Sequence, residues 1–207
     1  MNDHLIINIG RQLGSGGFEI ARLLAAEFSA RLLDKELLDL AAKESGFSQK
    51  LFKSSDEHRS FIHHFFPTRL FSAPCDSFYE NKISPESLFK FQSEAIRKAA
   101  EENSCVIVGR CGDYILRDFP NVTDIFITAD EDDRIERISK KMMCDKSTAR
   151  RIIERKEGER ARYYNYYTGK TWGAAESYDI CINSSILGIE KTAAFLSSYI
   201  RSVAGSK

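Results

Sequence analysis

The sequence has no surplus of either charge: thirty lysines and arginines stand against thirty aspartates and glutamates. Without a net field there is no whole-molecule attraction to nucleic acid or to an anionic membrane, so neither partner class is expected. Long apolar runs are also missing. No stretch approaches the roughly 20 residues that cross a bilayer, and the first residues lack the basic-then-apolar order of an export signal. Cysteine is sparse and odd in number, with Cys75, Cys105, Cys111, Cys144 and Cys181 scattered along the chain. That pattern argues against a disulfide framework and leads us to expect reduced thiols in a cytoplasmic protein. Only four histidines occur, and His63 and His64 are adjacent, so they point in different directions. With no cysteine at ligand spacing, a metal site built from these side chains is not expected.

What is present is the composition of an ordinary globular protein, 43% hydrophobic and 29% charged over 207 residues, enough for one well-buried domain spanning 1–207. Short β-branched runs alternate with helical periodicity, which predicts an α/β fold with a parallel sheet and crossover helices. The expected strands are Leu5–Ile9, Arg31–Leu33, Cys105–Val108, Asp124–Thr128 and Tyr178–Ile182. Phe18, Ala21, Leu24, Ala25 and Phe28 fall on one helical face, as do Ile189, Ala193, Leu196 and Ile200. Two stretches break this rhythm. Residues 45–91 hold nine of the fourteen phenylalanines and no convincing strand, so a helical insertion is expected. Its aromatic surface needs cover from the main domain or from a second copy, which makes a homodimer through this stretch one of the two arrangements. Residues 144–175 carry much of a local basic excess, eleven basic against five acidic side chains between Arg134 and Arg162, followed by "RYYNYYTGKTWG". Tyr163, Tyr164, Tyr166 and Tyr167 are able to stack on a base, but core or dimer packing is the commoner use of such a cluster.

In a parallel sheet, ligands collect beyond the carboxyl ends of the strands. After the first strand comes "GRQLGSGG", four glycines in eight residues before an amphipathic helix. Such a loop brings backbone N–H groups close to an anion at a helix N-terminus. The usual phosphate loop ends in lysine and a hydroxyl residue; here Gly17 and Phe18 stand in those places. Arg11 is the nearest substitute for the missing cation, its fork of donors suited to phosphate oxygens. Glu19, two places past Gly17, is a candidate to hold a magnesium ion, directly or through water. After the second strand comes Asp34, which fits either a sugar hydroxyl or the N-cap of a helix starting at Lys35. After the third comes Arg110, suited to bidentate phosphate contact or to an ion pair with Asp113.

Taken in this order, the loop, "LLDKELL", "FKFQSEAIRKAAEENSCVIVGRCGDYIL" and "RARYYNYYTGKTWG" with "YDICINSS" resemble the cytidylate kinase-like family of P-loop nucleoside monophosphate kinases. The resemblance implies a three-layer sandwich around a five-stranded parallel sheet, with the 45–91 insertion binding the acceptor and 144–175 forming a lid. It implies phosphoryl transfer from ATP, with Mg²⁺, to a nucleoside monophosphate, CMP or dCMP first among them. Gly14, Ser15, Gly16 and Gly17 would then cradle the donor phosphates, Asp34 the acceptor's sugar, Arg110 its phosphate and Gln92 its base, while Arg155 and Arg160 close over the reaction as lid arginines. Three positions depart from the family pattern: Glu157 in place of an aspartate, Gly158 in place of a basic residue, and Asn183 in place of the aspartate that often ends the last strand.

Other readings share parts of this pattern. A dinucleotide-binding oxidoreductase would use Gly14 and Gly16, with Asp34 twenty residues on as the ribose acid. It fails at Glu19, where a small residue is needed for helix and strand to pack. A non-catalytic nucleotide-binding or interaction protein fits the missing lysine, and a kinase for another small molecule fits the phosphate residues with a changed acceptor pocket.

Overall fold

The computed structural model describes residues 4–34 and 85–204. Five strands form one parallel sheet: β1 (Ile6–Arg11), β2 (Arg31–Leu33), β3 (Cys105–Val108), β4 (Val122–Thr128) and β5 (Ile180–Asn183), in the order β2-β3-β1-β4-β5. The central strand β1 pairs with β3 from Ile6↔Cys105 to Ile9↔Val108, and with β4 from Ile6↔Val122 to Arg11↔Ile127. A strand covered on both faces is apolar on both, which is why β1 and β3 read as continuous runs rather than alternating ones. Ile6 faces one core with Cys105, Ile107, Leu116 and Tyr164. Ile7 and Ile9 face the other, with Val106, Val108, Ile125 and Ile127.

Helices cover the sheet: α1 (Gly17–Glu27), α2 (Pro85–Glu102), the single turn α3 (Gly112–Ile115), α4 (Glu131–Met142), α5 (Lys146–Thr168) and α6 (Ser184–Val203). Asp145 caps α5 by accepting from the Thr148 N–H at 2.9 Å, and Gly169 ends it in the left-handed region at φ 69°. Residues 144–175 therefore form essentially one long helix and a short following segment.

The five expected strands all exist, with β1 running on to Arg11 and β5 shifted to Ile180–Asn183. The dinucleotide reading is excluded by topology. Its sheet places β2 next to β1, whereas here β3 intervenes. One helical face is corrected: Phe18 is 41% exposed, and the sheet-facing stripe of α1 runs through Gly17, Ile20, Ala21, Leu24 and Ala25. Of the 45–91 insertion, residues 85–91 open helix α2 and the remainder lies outside the described residues. No helix among the described residues is long and apolar enough to cross a membrane.

Candidate active site

The site gathers at the carboxyl ends of β1, β2 and β3. Between β1 and α1 the chain turns through two left-handed glycines, Gly14 at φ +81° and Gly16 at φ +73°. A side chain at either is excluded twice over, by backbone strain and by space: a Cβ at Gly14 would lie 2.7 Å from the Arg134 carbonyl and one at Gly16 2.7 Å from Ile189. Ser15 is fully buried. Its hydroxyl donates to the Gln12 carbonyl at 2.9 Å and its own carbonyl accepts from the Ser184 hydroxyl at 2.6 Å, so its side chain shapes the loop from within. The N–H groups of Gly14, Gly16, Gly17 and Phe18 have no acceptor among the described residues, leaving a run of donors at the N-terminus of α1 where the helix dipole also favours an anion.

The loop is held from outside by α4 and α5. Arg134 donates through Nε to the Leu13 carbonyl at 3.0 Å and through Nη2 to Glu157 at 2.6 Å, and Glu157 Oε1 also accepts from the Leu13 N–H at 3.1 Å. Arg137 donates to the Gly14 carbonyl at 3.0 Å. This explains the departure at Glu157: its carboxylate bridges Leu13 and Arg134 in a pair whose side chains are 8% and 20% exposed. Asn183 is likewise employed, capping α6 through the Ser185 N–H and donating to Asp130. Gly158 has only an ordinary 3.6 Å contact with Arg162 where a side chain would begin, and nothing in the structure explains the glycine.

The missing lysine has a steric cause. A Cβ on Gly17 would lie 2.6 Å from the Cβ of Arg11. Arg11 leaves the end of β1 through the space that a side chain at 17 would occupy, and its guanidinium then crosses directly over the α-carbon of Gly109, where a Cβ would fall 2.2 Å from Nη1. Burial, then the charges of Arg160 and Arg110, pull Arg11 down to about 9, with Asp34 acting in the opposite sense. The guanidinium is thus still charged at neutral pH, in a place where low polarity and like charges strengthen its attraction for an incoming anion. Gly109→Ala is expected to expel Arg11 and to force a non-glycine residue into φ +76°, lowering stability by about 1–2 kcal/mol from the backbone alone. Thermal melting of the variant checks this, and an unchanged midpoint would contradict it.

Arg110 follows Gly109 in the left-handed region at φ 57°, as does Cys111, and the turn they make directs the Arg110 guanidinium over the Tyr163 ring at 5.2 Å. Arg160 donates to the Arg11 carbonyl at 3.1 Å, and burial holds its guanidinium below the ordinary value, Glu157 opposing and Arg134 adding to the shift. Asp113, the alternative partner weighed for Arg110, instead accepts from the Tyr164 hydroxyl at 2.6 Å and lies 3.7 Å from Lys170. Beside these groups is a cavity of about 410 Å³, lined by Arg11, Arg110, Lys156, Arg160, Tyr163 and Trp172 among others.

Of the residues singled out from sequence, Arg11, Arg110 and Arg160 meet at this cavity, and Asp34 is close enough to Arg11 to act on its charge. Gln92 is 1% exposed and sits behind Tyr163, accepting from its hydroxyl at 3.3 Å, so the tyrosine and not the glutamine lines the cavity. Arg155 is exposed on α5 and is not among the cavity residues. Positions five apart on a helix are separated by about 140° of rotation, so 155 and 160 cannot share a face. The stripe that lines the cavity is Arg160, Tyr163 and Tyr164, with Lys156 and Glu159 paired at its exposed edge. Lys156 was missed, although the i, i+4, i+7 spacing with Arg160 and Tyr163 is the signal that finds it. Glu19 is exposed on α1, and no group of three His, Cys, Asp or Glu among the described residues is placed to hold a metal ion.

A profile of the cytidylate kinase-like family matches residues 6–186. An uncharacterized protein from Eubacterium ventriosum has a crystal structure similar to this chain at TM-score 0.74 and 30% identity, over 96% of this chain and 99% of that one. Two shikimate kinases share the architecture. The Bacteroides thetaiotaomicron enzyme matches at TM-score 0.52 and 12% identity over 95% of this chain and 98% of its own. The Acinetobacter baumannii enzyme, solved with shikimate, matches at TM-score 0.51 and 9% identity over 97% of this chain and 95% of its own. At such identities these two speak for the P-loop kinase fold alone. No curated protein matches. With the profile spanning the glycine loop, the sheet and the long helix that roofs the cavity, the chain belongs to the cytidylate kinase-like family.

Proposed function

We propose that the chain transfers a phosphoryl group from ATP to a nucleoside monophosphate, with CMP or dCMP as the favoured acceptor. The observation that carries this reading is the convergence of Arg11, Arg110 and Arg160 beside a glycine loop in which the Gly14, Gly16, Gly17 and Phe18 N–H groups have no acceptor among the described residues. Phosphoryl transfer needs little covalent help. It needs two phosphates held in line and their charge neutralised. The loop amides of Gly14, Gly16, Gly17 and Phe18 would hold the donor phosphates, with Arg11 in the role of the absent lysine. Arg110 would hold the acceptor phosphate and Asp34 its sugar. Arg160, tied to the Arg11 backbone from α5, would face the transferred group between them.

Magnesium would neutralise phosphate charge when bound. The residues fit an ion that the phosphates and water hold, as Mg²⁺ commonly is held, better than a dedicated protein cage, since no cluster of three candidate ligands is present among the described residues. Lys156 and Glu159, paired at 2.8 Å, stand at the rim of the cavity on α5, where closure over bound substrates would exclude water.

The test is coupled ADP release with ATP, magnesium and a panel of CMP, dCMP, UMP, AMP and GMP. Turnover is expected to depend on the acceptor, and Arg110→Ala to raise the acceptor KM about 10- to 100-fold, the worth of a hydrogen-bonded charge, with little effect on the KM for ATP. ADP release that ignores the acceptor would overturn the kinase reading.

A further inference from the structure

The cavity is polarised from end to end. At the ends of β1 and β3 it carries the guanidinium groups of Arg11 and Arg110, joined from the roof by Arg160, while Lys156 at the rim is paired with Glu159 at 2.8 Å. Over β4 its wall is aromatic. Trp172 meets Phe126 edge-on at 5.4 Å and Tyr178 meets the same ring at 4.9 Å. Phe126 pairs in register with Gly10, and a Cβ at Gly10 would fall 2.7 Å from the Phe126 ring and 3.1 Å from Tyr178. Glycine there lets the aromatic wall descend onto the central strand. Trp172 is held from α5 as well, its backbone N–H donating to Asn165 Oδ1 at 2.8 Å.

The buried polar groups beneath this part of the cavity are hydrogen-bond acceptors. Asp113 is 7% exposed and holds the Tyr164 hydroxyl, with the Lys170 ammonium 3.7 Å away on the solvent side. Asn8 is 4% exposed, and its Nδ2 donates to Asp124 Oδ1 at 2.8 Å. That bond fixes the carboxamide so that Oδ1 points the other way, where it has no donor among the described residues. Gly112 closes over this oxygen, so Asn8 contributes negative partial charge beneath the cavity while Asp113 supplies the reachable carboxylate. Cations at one end, with an aromatic wall and acceptors at the other, complement a ligand that has an anion at one end and a flat ring bearing N–H donors at the other.

We propose that the aromatic end of this cavity is the subsite for the acceptor's base, the ring lying against Trp172 with an exocyclic amino group toward Asp113, and that it selects amino-bearing bases over those with a carbonyl in that place. This rests on the nucleoside monophosphate reading and adds the orientation of the acceptor within the site. A carbonyl there would set an oxygen against the carboxylate, and such a mismatch in a buried polar site discriminates more strongly than a lost apolar contact.

Trp172 is the only tryptophan in the chain, so its emission reports on this wall directly. Titration with CMP is expected to change that emission saturably and to give a Kd about tenfold or more below that of UMP, the worth of one charge-assisted hydrogen bond. Ribose 5-phosphate, which has the anion but no ring, is expected to leave the emission unchanged. Asp113→Asn, whose carboxamide is able to donate to a carbonyl, is expected to narrow or reverse the preference for CMP. Should that variant fail to fold, Trp172→Leu is expected to weaken CMP about tenfold by calorimetry, as lost base stacking does. CMP binding with Trp172 silent, equal affinity for CMP and UMP, or no CMP binding at all would each overturn the proposal. The two readings fail separately: if CMP binds against Trp172 yet no monophosphate is turned over, the kinase reading falls and the base subsite stands, whereas turnover with Trp172 silent does the reverse.

Discussion

Replacing Arg11 by glycine is expected to lower kcat about 100- to 1000-fold, the loss seen when one charge-stabilising group is removed from a transition state, and adding lysine at position 17 to the same chain is expected to restore part of it. Glycine rather than alanine is needed at position 11 because the obstruction at 17 is the Arg11 Cβ itself, 2.6 Å from where a Cβ on residue 17 would begin. The backbone at Gly17 is not in the left-handed region, so nothing in its own conformation forbids a side chain. Gly17→Lys with Arg11 retained is accordingly expected to be worse than either change alone, since two side chains would claim one space. ADP release by the four proteins, with melting midpoints to show that each is folded, checks the exchange. Full activity in Arg11→Gly would remove this residue from phosphate handling. A double variant no better than Arg11→Gly would show that the two positions are not alternative sources of one charge.

The second large effect is expected at Glu157. Its carboxylate holds Arg134 at 2.6 Å and the Leu13 N–H at 3.1 Å, and the Arg134 side chain is only 8% exposed. Glu157→Ala leaves a buried guanidinium and a loop amide without their acceptor, a loss of about 3–5 kcal/mol when one partner of a buried pair is removed. For a chain of this length that corresponds to a fall in melting temperature of about 10 °C. Glu157→Gln keeps an oxygen for the Leu13 N–H and loses the charge, so it is expected to fall between the two. Replacing both partners, Arg134→Met with Glu157→Leu, is expected to recover most of the stability, because the desolvation of two charges is removed along with their attraction. It is not expected to recover the KM for ATP, since Leu13 and the loop then lose the hydrogen bonds that position them. Equal stability of wild type and Glu157→Ala would contradict this account of the loop.

Helix α5 links the two ends of the site. Its middle reaches the glycine loop and the end of β1 through Glu157 and Arg160, while its last turns pack on α2 through Tyr163 and Tyr167 against Phe89, with Phe89 and Tyr167 stacked at 4.0 Å. One helix thus contacts both places, a physical connection through which binding at one could bias the other if α5 has two arrangements.

The amino-acid order alone determined the sheet and its helices, because continuous β-branched runs and helical spacing are local signals that survive without knowledge of neighbours. It also determined where the turns at the strand ends lie, since Gly14 and Gly16 have conformations that few other residues adopt, and Arg110 follows a strand end directly. Which side chains share the cavity was decided only in three dimensions. Arg155 and Arg160 look equivalent in the sequence, but the rotation of α5 turns Arg155 outward and Arg160 toward the cavity. Gln92 looks like a ligand contact, but packing of α2 against α5 places Tyr163 in front of it. Gly17 reads as a lost lysine, and only the path of Arg11 across Gly109 shows that the space had another occupant. Residues far apart in the chain compete for the same volume and the same charge, and that competition has no local signature.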